Sequence, residues 1–456
     1  VPAGHVVRSF RVKVMATPAK ARQARELLVA SGDAWAWCID RYHARRRAGR
    51  PAANSNTQIW PDLRAHGPFG PLSVRAAQDV AKAWSAAFFE SVRRRKAGEK
   101  AALPLSKHYE RPVTWRHGDF QFVPAGVASR PRVSLQRARY HPRLVLAFSH
   151  PVPYPPESVR AVKLLVDGGE LFLDVTSWVA ISATRRVSGR IAGADPGIIH
   201  PLVLAAGPEA LMISGRAVRS EEYLHLADTK ARQAKQARRR EPVKAQPGSP
   251  RQAGSRRWRS LGAKQRRAEA RSRRRVRLAA NRSARIAASW ATDHQVEKVA
   301  LGDPVGIERN RAGAVQNRRV GRWLRAYTRD ALRYRLEEEA INLEVVDERG
   351  TSSHCPACGQ SAAKNGRKLR CRNPACALDH HRDVAGAQNI SRLAGAVVET
   401  IARVEHRRVG QPSTRRDHRR PHDRPSGRAA AGPARTRAAQ QRESLAPQGE
   451  DSRQHL

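Results

Sequence analysis

Four of the five cysteines, Cys355, Cys358, Cys371 and Cys376, fall within 22 residues of a 456-residue chain. Their spacing is Cys-x2-Cys, twelve residues, then Cys-x4-Cys. Each pair offers two thiolates from one backbone knuckle, and two knuckles close a tetrahedron around Zn²⁺. Gly359, directly after Cys358, suits the turn that aims backbone amides at sulfur. Four ligands leave no open coordination position, so the ion is structural rather than catalytic. Five cysteines, four of them clustered, are too few for a disulfide framework, and four free buried thiols at this spacing is the weaker alternative. The x4 interval of the second pair is wider than usual. Cys38 stands alone in an apolar stretch, AWAWCID, and reads as a core thiol.

Charge narrows the partners. The chain has 86 Lys and Arg against 40 Asp and Glu, a net charge of +46. That is an order of magnitude beyond the ~2–8 of a small soluble domain, and self-repulsion on that scale calls for a polyanion. A membrane surface is the other anionic candidate, but no apolar run reaches spanning length and no Trp/Phe/Leu-rich amphipathic anchor stands out. Residues 1–10 have no signal-peptide core. The expectation is a cytoplasmic nucleic-acid binder of two to four domains.

Along the chain, residues 6–15 alternate as a strand with one buried face. Thr17 and Pro18 open a helix running through Leu27 and Trp35 toward Tyr42, and a second helix covers 73–95 with Ser73 as its cap. From Pro104 to Ser188 the pattern is one of short strands, including 143–148 and a hairpin around Asp167-Gly168-Gly169. This predicts a β-barrel interrupted by a helical insertion. After residue 190, RIAGADPGIIHPLVLAAG reads as two apolar strands, followed by a basic segment over about 229–290 with Pro242, Pro247, Gly248 and Pro250 inside it. A strand at Val296–Leu301, a helix at 320–340 and a strand at Leu343–Val346 form a parallel crossover unit. The cysteines follow, then a helix at 383–405. Beyond about His406 the chain is Arg, Pro, Gln and Ser without periodicity and reads as disordered.

Phosphodiester cleavage with two Mg²⁺ ions needs three or four carboxylates converging at one sheet edge, and strand ends are where such groups meet in open α/β sheets. Asp195 ends IAGAD, Asp303 ends VALGD, Glu348 follows LEVVD, and Asp383 opens the helix after the cysteines. In this order GADPGIIHPL, VALGDPVGI, TSSHCPACG and HRDVAGAQNI resemble the RuvC-like nuclease of TnpB proteins and their relatives, the compact type V CRISPR effectors. The helix-strand segment GRWLRAYTRDALRYRLEEEAINLEVVDE is also similar, and the resemblance spans about residues 6–405. It implies an α/β, RNase H-like RuvC domain, an N-terminal β-barrel with a helical insertion, and a zinc ribbon. The implied boundaries are 1–18 and 105–188 for the wedge-like barrel, 19–104 for the helical recognition insertion, and 189–350 for the nuclease with a basic helical segment at 220–290. The zinc ribbon takes 351–380, the last nuclease motif 381–405, and a disordered basic tail 406–456.

By position, Asp195 is the first catalytic acid and Asp383 the last. Where the family places Glu at the end of the second strand, this chain has Gly302, with Asp303 beside it. A subgroup of the family has Gly-Asp there and a Glu seven residues before the first zinc cysteine, the position of Glu348. The resemblance therefore implies Asp195, Glu348 and Asp383 as Mg²⁺ ligands, with Asp303 as a secondary candidate. If Glu348 only caps a loop and Asp303 a turn, the chain is a binder without cleavage. Asp347 is expected to point away from Glu348, and Glu308 lies past a turn.

The basic segment offers Arg256, Arg257, Arg259, Arg273, Arg274 and Arg275 to phosphates and Trp258 for stacking; the bland alternative is a solvated linker. The stretch at 263–290 is expected to be helical and to lie along a duplex. Guide RNA and target DNA are partners implied by the resemblance alone, with base pairing supplying sequence specificity. Four functions are open: a transposon-associated, RNA-guided DNA endonuclease in a bacterial cytoplasm, acting at the nucleoid; a nuclease-inactive guided repressor; a compact type V CRISPR effector; or, more weakly, a transposase acting directly on DNA ends.

Overall fold

In the computed structural model, the described residues are 1–2, 4–50, 54–104, 109–123, 130–181, 187–238, 255–303, 313 and 325–409. Among them, no helix is long and apolar enough to cross a membrane.

The N-terminal half is built on a nearly closed seven-stranded antiparallel sheet. Its strands are β1 (His5–Met15), β2 (Val113–Arg116), β3 (Phe120–Val123), β4 (Arg132–Leu135), β5 (Leu144–Phe148), β6 (Val159–Asp167) and β7 (Glu170–Ala180), in the order β2-β6-β7-β1-β5-β4-β3. β1 is long enough to bridge two halves of the sheet: His5 to Lys13 pair with β7, and Val14 and Met15 with β5. Between β1 and β2 the chain forms three helices, α1 (Pro18–Arg47), α2 (Asn56–His66) and α3 (Val74–Lys96). Thr17 caps α1 with Pro18 in its first turn, and Ser73 caps α3 by accepting the Ala76 N–H at 3.2 Å. α2 is an addition to the sequence reading, and its signal is the Ser55/Gln58 capping box. Cys38 is fully buried among Trp35, Trp84 and Phe88, and burial pushes its thiol up to about 12.

The second half centres on a six-stranded sheet of order β12-β11-β8-β9-β10-β16, made of β8 (Ile191–Asp195), β9 (Leu202–Ala206), β10 (Glu209–Ser214), β11 (Lys298–Asp303), β12 (Asn342–Asp347) and β16 (Arg403–Arg408). β8, β11 and β12 are mutually parallel, so their C-terminal ends share one edge. Side chains alternate between faces. Ala192, Ala194, Leu202, Leu204 and Leu301 face α5 (Arg256–Asp293) and α6 (Arg325–Glu338). Val203, Ala205 and Met212 face α7 (Arg382–Leu393). A three-stranded sheet, β13 (Ala362–Asn365), β14 (Lys368–Cys371) and β15 (Asp379–His381), carries the cysteines between β12 and α7.

Close contacts join the halves. Arg8, buried on β1, donates to Glu338 and to the Tyr334 carbonyl of α6, both at 2.9 Å, and stacks on the Tyr334 ring. The β6–β7 hairpin presents Gly168 (φ +66°) to α5, where a Cβ would lie 2.5 Å from that of Ala270.

Three readings change. The last helix ends at Leu393 rather than 405, because Gly395 (φ +94°) breaks it and donates back to Arg392 O. His406 is not where order stops: Arg403–Arg408 form β16, which pairs in parallel with β10. RVEHRR has no apolar alternation, so backbone pairing to an open sheet edge, not side-chain pattern, makes it a strand. The basic helix begins at Arg256, capped by Ser255, earlier than 263. It pairs with α4 (Arg216–Ala237), whose Arg232 reaches Gln265 at 2.7 Å. The proline interruptions at 242–250, Glu308, and the tail from 410 lie outside the described residues.

β8 has no room for a side chain where it meets α7. A Cβ on Gly193 would sit 1.9 Å from the Ala387 carbonyl oxygen. Gly193→Ala should therefore lower stability by about 1–3 kcal/mol, as overpacking does. Urea unfolding measures this, and an unchanged midpoint would mean that α7 does not seat on β8.

Candidate active site and zinc module

Strand register decides which acids meet. Gly302 pairs with Val346 and Asp303 with Asp347. Gly302, Val346 and the following Glu348 therefore share the α7 face, while Asp303 and Asp347 take the other. Asp195, two residues beyond Gly193, lies on the α7 face as well. α7 brings Asp383 there in its first turn, and Gly386 lets the helix close in: a Cβ at 386 would lie 2.9 Å from Asp195 Oδ2.

Glu348 occupies the space that a residue-302 side chain would need. A Cβ on Gly302 would fall 2.2 Å from Glu348 Oε2 and 2.7 Å from Ile390 Cδ1. Gly302 of β11 and the residue just after β12 thus compete for one volume, and here the carboxylate comes from the latter. Glu348 is held by its neighbours. Thr351 donates its hydroxyl (2.8 Å) and amide (3.1 Å) to the Glu348 carbonyl, and Asn389 of α7 donates to the carbonyls of Thr351 (2.6 Å) and His354 (2.9 Å).

The electrostatics are those of crowded, poorly solvated carboxylates. Burial, then the charges of Glu348 and Asp383, raise Asp195 well above the usual carboxylate range, against a small opposing effect of Arg382. Burial and the charges of Asp303 and Asp347 lift Glu348 to about 7, with Arg325 opposing. Glu348 Oε2 is buried without a hydrogen-bond partner. Asp383 moves the other way: burial raises it, but the His200 hydrogen bond and the charges of His381, His200 and Arg382 outweigh that. An orphaned carboxylate oxygen among mutually repelling acids is the environment a divalent cation relieves, so these residues fit Mg²⁺. The three acids are not drawn onto a single point, however. Among the described residues, the groups whose ligand atoms all lie within 4.8 Å are the four cysteines and His200, His381 and Asp383.

Asp303, read from sequence as a secondary ligand, is turned away. It faces Arg325 of α6 at 3.7 Å, because its strand position is one out of phase with Gly302. Asp347 is exposed and paired with Arg349, as its neighbour relation to Glu348 required. His200 and His381 were missed, although each lies inside a motif that drew attention, GADPGIIHPL and HHRDVAGAQNI. His200 Nδ1 is 2.8 Å from Asp383 Oδ2, and His381 Nδ1 accepts the Asp383 amide at 3.3 Å.

In the cysteine module, Cys355 and Cys376 Sγ are 3.6 Å apart and Cys358 and Cys371 Sγ 3.4 Å apart. Zn–S bonds of ~2.3 Å at tetrahedral angles place sulfurs ~3.8 Å apart, so the donor set fits Zn²⁺. The x4 interval is taken up by Asn373, whose side chain accepts the Ala375 N–H at 3.0 Å while its backbone carbonyl accepts those of Cys376 and Ala377. Ala377 adopts φ +46° to complete the turn.

The basic residues divide into two sets. Arg256, Arg257 and Arg259 are exposed and Trp258 is half-buried at the start of α5. Arg273 and Arg274 instead bind the buried Asp167 of the β6–β7 hairpin at 3.1 and 2.8 Å, Arg274 also lies over Phe172, and Arg275 pairs with Glu221 of α4. These three tie α5 to its neighbours, although the Arg273 side chain stays more than half exposed.

A mixed α/β sheet with three carboxylates near one edge, and a four-cysteine module inserted between two of them, defines the class to which the chain is similar. Residues 326–390, from α6 through both cysteine pairs to α7, match the TNB domain of Cas12f1-like proteins. The structure is similar to that of Cas12f1 in its complex with sgRNA and target DNA: TM-score 0.54, 12% identity, 85% of this chain and 99% of the other. The mini-RNA-guided endonuclease CRISPR-Cas_phi3 also matches, with TM-score 0.47, 10% identity, 86% of this chain and 92% of the other. No curated protein sequence matches. The chain thus carries a TNB segment on the fold of a compact type V effector, as the TnpB-like motifs imply.

The raised Glu348 carboxyl has a consequence for stability without added Mg²⁺. Its folded value, about 7, exceeds the ordinary 4.5. The contribution is therefore fully present below about 4.5 and lost as pH rises through about 7. Urea unfolding of the zinc-loaded chain between about pH 5 and about pH 8 should show a steeper loss of stability in wild type than in Glu348→Gln. Parallel slopes would place Glu348 in solvent.

Proposed function

We propose that this chain is an RNA-guided DNA endonuclease, transposon-associated, that hydrolyses target-strand phosphodiesters at a RuvC-like two-metal site. The observation that carries the reading is the exchange at Gly302 and Glu348. The carboxylate missing from the end of β11 is supplied by the residue after β12, in the same volume, with an oxygen buried and unpartnered. A chain that had merely lost cleavage has no need to refill that space with an acid.

Asp195, Glu348 and Asp383 would hold the ions. A bound Mg²⁺ pair supplies an activated water and stabilises the leaving oxygen. The chain's own residues position the acids: Gly193 and Gly386 allow α7 to approach, Thr351 and Asn389 hold Glu348, and His200 orients Asp383. Recognition follows the +46 charge: the protein grips nucleic-acid backbone at Arg256, Arg257 and Arg259, and base pairing with the guide reads sequence. The likeness to a structure that contains guide RNA and target DNA supports this.

A nuclease-inactive guided repressor is the second reading, favoured by the wide setting of the three acids. Purified chain with its co-purifying RNA should cut matched DNA in Mg²⁺. Asp195→Ala and Glu348→Ala should each lower the rate about 10²–10³-fold, the worth of several kcal/mol of charge stabilisation. Tight binding of matched DNA without any cutting would establish the repressor, and an undiminished rate in Glu348→Ala would overturn the site. The sequence of that RNA distinguishes a transposon-end guide from a CRISPR array.

The module between Glu348 and Asp383 adds a further prediction. A Cys355→Ser, Cys358→Ser variant keeps every proposed Mg²⁺ ligand but should cleave slowly, because α7 is tied to the residues before the first knuckle. Full activity in zinc-free protein, verified by metal content, would sever that link.

A further inference from the structure

Asp383 has a set of neighbours that carboxylate chemistry alone does not call for. Its Oδ2 lies 2.8 Å from Nδ1 of His200 and 4.0 Å from Nδ1 of His381, while Oδ1 faces Arg382 Nε at 3.3 Å. The two imidazole rings meet edge to face, centroids 5.4 Å apart. One ligand atom from each of the three residues falls within 4.8 Å of the others. Around an octahedral ion with bonds of ~2.1 Å, ligand atoms stand ~3.0 Å apart at adjacent positions and ~4.2 Å apart at opposite ones. The two imidazole-to-carboxylate distances, 2.8 and 4.0 Å, are close to those two spacings.

We propose that His200, His381 and Asp383 form a metal site of mixed nitrogen and oxygen ligands, which takes a transition ion of the Mn²⁺-to-Zn²⁺ class in preference to Mg²⁺. The inference deepens the proposed function and rests on Asp383 belonging to its metal site. The bland alternative is that His200 only hydrogen-bonds Asp383. Three observations favour an ion. Two rings, not one, converge on the same carboxylate oxygen. The lone pair of His381 Nδ1 is engaged only by a long contact, the Asp383 amide at 3.3 Å. The residues also come from two separate parts of the chain, the loop that carries His200 and the start of α7 that carries His381 and Asp383. His200, 6% exposed, sits in a loop closed by Gly197 N–H to its carbonyl at 3.0 Å and by Gly215 N–H to Ile199 O at 2.8 Å. His381 is the N-cap of α7, and Asp383 is in its first turn. Imidazole nitrogen binds Co²⁺, Ni²⁺ and Zn²⁺ far better than Mg²⁺, which prefers oxygen. Two such ligands on one ion therefore alter which metal the site selects.

The test uses the full chain with its cysteine module loaded with zinc, and Mn²⁺ as the probe. Pulsed EPR should show ¹⁴N coupling from directly bound imidazole. His200→Gln and His381→Gln should each weaken the coupling and lower Mn²⁺ affinity about tenfold or more, a larger loss than that of Mg²⁺ affinity. Wild-type Mn²⁺ spectra without ¹⁴N coupling would overturn the proposal, as would Mn²⁺ affinity unaltered in both variants. The wild-type spectrum decides even if a variant fails to fold. Guided cleavage in Mg²⁺ together with nitrogen-free Mn²⁺ spectra would reject this site and leave the endonuclease standing. Nitrogen coupling in a chain that never cuts would do the reverse.

Discussion

Helix α7 approaches β8 until backbone meets backbone, and the arrangement of the acids depends on that contact. Gly193 faces the Ala387 carbonyl, Gly386 faces the Asp195 carboxylate, and Gly302 leaves its place to Glu348 and Ile390. Each glycine is small for a different neighbour, and together they let one short helix lie flat on the sheet. Val384, Ala385, Ala387 and Ile390 of that helix are buried. Asp383 is consequently carried on the same rigid body that seals the core, and its place follows from packing rather than from any loop.

The same helix reaches back to the residues before the zinc knuckles. Asn389 holds the carbonyls of Thr351 and His354, and Thr351 holds that of Glu348. A residue at the end of one strand and a residue at the start of a helix are thus linked through side-chain amide and hydroxyl donors, with the four-cysteine module as the covalent loop between them. Zinc in such a module closes that loop, which is why its influence would extend to acids it does not touch.

Positive charge is spent in two ways on α5. At its start, Arg256, Arg257 and Arg259 face solvent; three turns and more along, Arg273, Arg274 and Arg275 neutralise Asp167 and Glu221. The second set docks the helix on the β6–β7 hairpin and on α4. Removal of Arg273 and Arg274 would leave the buried Asp167 only the longer contact to Arg11 at 3.8 Å, a structural loss that a binding assay alone would misread as lost phosphate contact.

Local chemistry made much of this legible from sequence. The cysteine spacing, the caps at Thr17 and Ser73, the Asp-Gly-Gly hairpin and the acids at strand ends all rest on neighbours a few residues apart, and each appears where short-range rules put it. The placing of Glu348 rather than Asp303 on the α7 face was half legible. The resemblance pointed to Glu348 through its distance to Cys355, but only the parallel register of β11 and β12 sets Gly302 and Glu348 on one face and Asp303 on the other. β16 and the joining of His200 to Asp383 belong wholly to tertiary structure. An edge strand without apolar alternation is defined by the partner it pairs with, and residues 183 positions apart meet only when α7 settles on β8. The sequence by itself determined the four-cysteine cluster, the charge and the candidate acids; the fold decided which acids share a face and which histidines join them, because register and helix docking are long-range properties that no local pattern encodes.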